Sequence, residues 1–447
     1  MKSHHPPSYP PKAWILVLGC TALIRSIGAT DAPPSASDPI VPEVTINEHA
    51  VPTNRLPGSL LVRSEAGIAT YPWVHARVLY EASSREGGLY ETRATITPAG
   101  DFLLMFPDGG HYGGKTTKVN KLLAMRSSDR GKTWSTPKEA FNIDYNQHGF
   151  IPLIPRGTKR LYAFGTQPVW DQFSVEHGKG ENAPIGFRSS DDDGHTWSKV
   201  SLIRPENFPE YRGMSVMRMT ETDRGTWLLG THDADWSQQP LQTHLYLLRS
   251  TDHGKTWQLL PGKPPHGWQA PGFGRMDEGR PLALGGGNVL LLTRTPEGHL
   301  WSSRSQDDGQ TWTDPAPTPL VHPDAPPMLF TLSDQKTLIA FHHNRAHTKS
   351  SSLSGDNKVM MADRSEIWFS TSTDGGVHWT EPRFVLVNVL GETLSNPWRN
   401  YNCSYLDAFA TDGTVHVFLP HRWQRVLYLT LRESDLTKFP TSAELWR

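Results

Sequence analysis

The pattern Ser-x-Asp-x-Gly-x-Thr-Trp constrains this chain more than any other feature, because an octet that occurs five times demands five equivalent places in the fold. It stands at Ser127, Asp129, Gly131, Thr133 and Trp134. It returns at Ser190, Asp192, Gly194, Thr196 and Trp197, and at Ser250, Asp252, Gly254, Thr256 and Trp257. Ser305, Asp307, Gly309, Thr311 and Trp312 form a fourth copy; the fifth, at Ser372, Asp374, Gly376 and Trp379, has His378 in place of the threonine. Each copy makes sense as a hairpin turn, in which Asp accepts hydrogen bonds from turn amides, Gly takes a positive φ and Trp packs between neighbouring sheets.

Successive motif tryptophans are 55 to 67 residues apart, room for one four-stranded sheet with long loops. Sheets repeated at such a period read as propeller blades. Paired inner strands are expected at Tyr90 to Phe106, His148 to Gly165, Met214 to Gly230, Glu278 to Thr293, Met328 to Phe341 and Ser404 to Leu419. The fold class that follows is all-β, a six-bladed β-propeller with four-stranded antiparallel blades. The sixth blade carries no octet, so Tyr428 to Arg432 is expected as its third strand, with a segment upstream of the first blade completing it and locking the ring. A length of 447 residues would otherwise suggest several domains, but the repeat spreads over nearly all of it and argues for one unit.

At the N-terminus, Lys2 and Lys12 precede an apolar run from Ala13 and a small-residue segment ending at Ala29. Residues 1–29 therefore read as a secretory signal, 30–42 as a Pro/Ser-rich linker and 43–447 as the propeller, with the protein secreted or periplasmic. The run is too short for a permanent span. Val17-Leu18-Gly19-Cys20 approximates a lipobox, and a membrane partner is expected only if Cys20 is lipidated. The formal net charge of −1, with dispersed Lys and Arg, gives no nucleic-acid surface. No ligand spacing is diagnostic of a metal, and no cofactor motif is present: Gly285-Gly286-Gly287 is a hairpin turn, with no helix after it.

Strand direction sorts the loops. With the octets between third and fourth strands on the lower face, chemistry belongs at the starts of first strands and the ends of second strands. Those places hold Tyr90, Asp108, His111, His148, His232, Glu278, Arg280, Arg294, Arg345, Arg364, Tyr401 and Tyr405. Chain ends at a solvated rim are ordinarily polar, and a pairing such as Glu278 with Arg280 could simply fasten a strand. The recurrence of Arg and His is the functional signal.

The octet resembles the Asp box, or bacterial neuraminidase repeat, of the sialidase superfamily. That resemblance implies a glycosidase that holds a sugar carboxylate with three arginines, attacks with a tyrosine deprotonated by a glutamate, and uses an aspartate as acid and base. Glu278 and Arg294 match the glutamate and an arginine, Arg364 matches the third arginine, and Tyr405 or Tyr401 lies near the nucleophile's position. The family's first-blade Arg-Ile-Pro is missing: Tyr90 stands in its place and Arg93 three residues later. Asp108 and His111 are the candidates for the acid. Arg280, Arg345, Arg93, Tyr90 and His232 are further candidates for holding the substrate.

The expected substrate is therefore an acidic glycan, cleaved by a secreted hydrolase of exo-α-sialidase type. Two other readings stay open. One is a lyase or His-assisted hydrolase of uronic-acid glycans, in which His148, His111 or His232 takes the C5 proton. The other is a propeller that binds carbohydrate without catalysis.

Overall fold

The structure, a computed structural model, describes residues 43–46, 49–52, 61–63, 66–82, 89–108, 120–143, 150–166, 182–235, 237–238, 240–272, 274–346, 363–389 and 402–445. The signal and linker expected before residue 43, with Cys20, lie outside them, as do His111, His148 and Tyr401.

Six antiparallel sheets follow one another along the chain. Blade 1 comprises Arg93–Ile96, Phe102–Asp108, Asn120–Ser127 and Lys138–Ile143; blade 2 comprises Ile151–Leu153, Leu161–Thr166, Ile185–Ser190 and Ser201–Leu202. Blade 3 runs through Ser215–Glu221, Trp227–Asp235, Gln242–Ser250 and Gln258–Leu260, and blade 4 through Asp277–Gly285, Asn288–Arg294, His299–Ser305 and Ala316–Val321. Blade 5 is built on Met328–Thr331, Leu338–His342, Glu366–Ser372 and Arg383–Asn388, and blade 6 on Asp407–Thr411, Thr414–His421 and Arg425–Arg432. The first strand of each blade touches that of the next, and blade 6 returns to blade 1, so the ring is closed.

Closure uses the chain's beginning. His75–Glu81 pairs antiparallel with Arg425–Arg432, as the fourth strand of blade 6. Blade 5 goes further than the sequence suggested, since Ile68–Thr70 and Leu61–Arg63 extend it to six strands. Covering the outer strand Arg383–Asn388 removes an open edge, and Ile68 and Ala69 are buried against it. Four first strands begin later than expected: among the described residues Tyr90 to Thr92, Phe150, Met214 and Ser404 to Leu406 lie before them outside the sheet.

The Asp boxes form as their chemistry demands. In the first, Asp129 Oδ1 accepts from the Thr133 amide and the Ser127 hydroxyl, both at 2.8 Å, and the Gly131 amide donates to Ser127 Oγ at 2.7 Å. His378 replaces threonine without losing the bond, its Nδ1 lying 2.6 Å from Asp374 Oδ2. The residue before the glycine also takes a positive φ in the first four boxes, where Arg130, Asp193, His253 and Asp308 lie between 58° and 66°. Each tryptophan bridges blades: Trp134 stands edge-on to Phe418 and Tyr428 of blade 6 at 5.7 and 5.6 Å, and Trp197 to Phe141 of blade 1 at 5.4 Å.

These turns set an acid limit on the fold. The Thr196 hydroxyl and amide hold the Asp192 carboxyl well below its usual range. At Asp307, partial burial raises the pKa, but hydrogen bonds from Thr311, Ser305 and Gln310 outweigh it and bring the value to about 2. A folded pKa below the unfolded one contributes stability that is present above the unfolded carboxyl pKa and lost as pH falls through the folded one. Buried His342, His343 and His416 stay neutral in the fold but charge in the unfolded chain. Unfolding midpoints in urea, read by tryptophan fluorescence, should therefore begin to fall below about pH 6.5 and keep falling between about pH 4 and 2 as the Asp-box carboxylates are protonated.

Candidate functional site

Opposite the Asp-box face, three distant segments meet. The first strand of blade 4 opens with a bulge: Asp277 pairs with Arg294 and Arg280 with Leu292, leaving Glu278 and Gly279 against one partner residue. Glu278 sits there at φ 52°, and its amide donates to His232 Nδ1 at 3.4 Å. Bulges re-aim side chains, and this one needs close packing behind it. A Cβ on Gly230 of blade 3 would stand 1.9 Å from the Gly279 carbonyl oxygen, so only glycine lets blades 3 and 4 approach here.

Tyr405 approaches from the loop before blade 6, also in the left-handed region at φ 65°. Its hydroxyl donates to Glu278 Oε1 at 2.8 Å. Arg294 Nη1 donates to Glu278 Oε2 at 2.7 Å and to the Tyr405 hydroxyl at 3.3 Å, so one guanidinium nitrogen spans the pair. Trp423, itself at φ 54°, stands edge-on to the Tyr405 ring at 6.4 Å and packs with buried Tyr90. Bulky residues held at positive φ cost free energy, and they gather where geometry must be imposed. Here Glu278, Tyr405 and Trp423 gather at one place.

Buried charge surrounds the pair. Arg294 Nε donates to Asp324 Oδ1 at 2.5 Å, and Arg275 bridges Asp277 at 2.9 Å and Asp324 at 3.2 Å. Arg364 donates from Nη2 to the Asp324 carbonyl and from Nη1 to Ser404 Oγ at 3.4 Å; its Nε has no hydrogen-bond partner among the described residues. Burial alone would lower the Arg294 pKa, yet Asp324, Glu278 and Asp277 raise it well above that of a free guanidinium. Arg364 is lowered, by burial first and then by Arg294. Three guanidinium groups thus face three carboxylates, which lock Arg294 in place but leave Arg364 with an unused donor.

The remaining candidates lie outside the hydrogen-bonded group of Tyr405, Glu278 and Arg294. Arg345 is held by Asp363 at 3.2 Å and Glu366 at 3.3 Å in blade 5. Asp108 ends the second strand of blade 1, half-buried, and accepts from the Tyr80 hydroxyl at 2.5 Å. Buried His232 lies behind Glu278 rather than in front of it, its Nδ1 occupied by that residue's amide. Arg93 and Arg280 belong to innermost strands. Asp324, Ser404 and Trp423 escaped the sequence reading. Asp324 lies in the proline-flanked run His322-Pro323-Asp324-Ala325-Pro326, whose one acidic residue was the available signal.

A family profile described as a BNR repeat-like domain matches residues 154–417, more than half of the chain. A xyloglucanase from Paenibacillus is 27% identical over 223 residues, 47% of this chain and 20% of that protein, so the chain spans about a fifth of that relative's length. A Hadza microbial sialidase superposes with a TM-score of 0.55 at 17% identity, over 78% of this chain and 66% of that one. The NanB sialidase of Streptococcus pneumoniae does so with a TM-score of 0.56 at 13% identity, covering 80% of this chain and 71% of its own. At these identities the structural likeness establishes a sialidase-like propeller and leaves the chemistry to the site.

Proposed function

The chain belongs to the BNR repeat-like domain family, and from that premise we propose that it is a retaining glycoside hydrolase of sialidase type, acting on a sugar whose anomeric carbon bears a carboxylate. The observation that carries this reading is the Tyr405 hydroxyl bonded to Glu278 at 2.8 Å under the Arg294 guanidinium. A nucleophilic phenol needs a base to take its proton and a cation to steady the developing charge. Glu278 is the base and Arg294 Nη1 the cation. A neutral phenol also suits a carbon beside a carboxylate, where an anionic nucleophile would be repelled.

In the first step the Tyr405 oxygen bonds to the anomeric carbon and its proton passes to Glu278. The glycosidic bond breaks, and the leaving oxygen takes a proton from an acid, for which Asp108 is our candidate. Water then attacks the anomeric carbon, giving one proton back to that acid, while the released Tyr405 oxygen recovers its proton from Glu278. Arg364 Nε, buried and without a hydrogen-bond partner among the described residues, is the donor we assign to a substrate carboxylate. Secretion, expected from the N-terminal residues, suits an enzyme acting on external glycans.

The charge balance of the site favours a second reading, hydrolysis of a neutral glucan, and the name of the Paenibacillus relative points the same way. A parallel assay with a fluorogenic sialoside, xyloglucan and a uronic-acid polysaccharide tests both. Release of fluorophore is expected. Reducing ends from xyloglucan alone, surviving Tyr405→Phe, would transfer the assignment to the neutral glycan, and ultraviolet absorbance from the polysaccharide would mean elimination.

A further inference from the structure

Beneath the site, at the axis of the ring, lies a second group of charges. Arg218 of blade 3 reaches Asp407 of blade 6, on the opposite side of a six-membered ring, at 2.8 Å. The other oxygen of Asp407 accepts the Ala94 amide of blade 1 at 2.9 Å. Arg280 of blade 4 stands 3.9 Å from Asp407, and its only hydrogen bond among the described residues runs from Nη1 to Met328 Sδ, at 2.8 Å. Arg93 of blade 1 gives Nη1 to the Thr92 carbonyl, while its Nη2 is 3.1 Å from Glu91. Arg93 and Arg280 are each 1% exposed.

Arg93, Arg218 and Arg280 thus meet two carboxylates, Asp407 and Glu91, both already engaged; the third that acts on Arg280, Glu278, is held by Arg294 at 2.7 Å. The positive charge left over falls on Arg280. Its Nε and Nη2 find no acceptor among the described residues, and neither does Arg93 Nε. In a guanidinium, Nε and Nη2 form the side-on edge that grips an anion with two parallel N–H bonds. Water could occupy those donors but would leave the charge, and an uncompensated buried ion is costly. The strain is visible in Arg280 itself, whose pKa is brought down to about 9, first by burial and then by Arg93.

We propose that the propeller axis holds one small monovalent anion, chloride or a compact oxyanion, on the Nε–Nη2 edge of Arg280 facing Arg93, as a structural site separate from the Tyr405 pocket. The anion would complete the charge balance and fasten blades 1, 3, 4 and 6 from within.

The probe is halide. Thermal unfolding of the whole protein is followed in sodium gluconate at constant ionic strength while gluconate is exchanged for chloride or bromide. A saturable rise on the order of 2–5 °C is expected, and Arg280→Met, which removes the edge and keeps an apolar neighbour for Met328, should lose it. Equal halide dependence in the variant, or none in the natural protein, overturns the proposal. Should the variant not fold, crystals of the natural protein soaked in bromide decide: an anomalous peak beside Arg280 is expected. Its absence, or its displacement by saturating N-acetylneuraminic acid, refutes a separate site.

Discussion

Tyr405→Phe should lower kcat on the released-sugar assay by about 10³-fold or more while leaving the protein folded. The substitution keeps the ring that stands edge-on to Trp423 at 6.4 Å and deletes only the hydroxyl. Stability should fall by only about 1–3 kcal/mol, because the hydroxyl serves Glu278 and Arg294, which keep their bond to each other. KM should move little, because the phenol's bond to the anomeric carbon is absent from the ground state. Glu278→Gln extends the test, since glutamine can accept from the Tyr405 hydroxyl but cannot take its proton. A Tyr405→Phe enzyme with unchanged kcat would eliminate the nucleophile reading and leave the constellation as a fastening of blade 4 to blade 6.

The second large effect is on stability. Asp407 is fully buried and joins Arg218 to the Ala94 amide across the ring. Asp407→Ala leaves the half-buried Arg218 guanidinium and the buried Ala94 amide without that acceptor, beside buried Arg280, and removing one partner of a buried ion pair costs about 3–5 kcal/mol. Exposed pairs of the same type should behave differently. Arg160 and Asp191 meet at 2.6 Å, with their side chains 48% and 69% exposed, and breaking them should cost no more than about 1 kcal/mol. Urea unfolding of both variants checks the contrast, and equal losses would mean that the axial bridge does not hold the ring.

Much of the architecture was legible because the Asp box is a local device. Serine, aspartate, glycine and threonine satisfy one another within seven residues, so the sequence names the turn, and the turns count the blades. Closure of blade 6 by an upstream strand was legible for the same reason: a sheet without an octet needed another source for its last strand. Glu278, Arg294, Arg364 and Tyr405 could be picked out because blade topology sends strand starts and ends to one face.

What escaped the sequence depends on neighbours far along the chain. The bulge that turns Glu278 toward Tyr405 leaves no mark in the residues Asp277-Glu278-Gly279-Arg280. Asp324 reads as a loop acid until Arg275 and Arg294 close on it. Arg280 and Arg93 read as substrate candidates, yet which way a residue on an innermost strand turns is set by the bulge and by the five other strands around the axis.

By itself the sequence determined that five equivalent hairpins exist, that the chain is a ring of sheets, and which residue types crowd its upper face. Those properties come from bonds spanning a few residues and from the two-residue alternation of strands. Only the tertiary structure decided that Tyr405, Glu278 and Arg294 meet within hydrogen-bonding distance, that Arg345 is spent on Asp363 and Glu366, and that Arg280 has unused donors at the axis. Those depend on angstrom distances between blades, which ring closure fixes and no local pattern encodes.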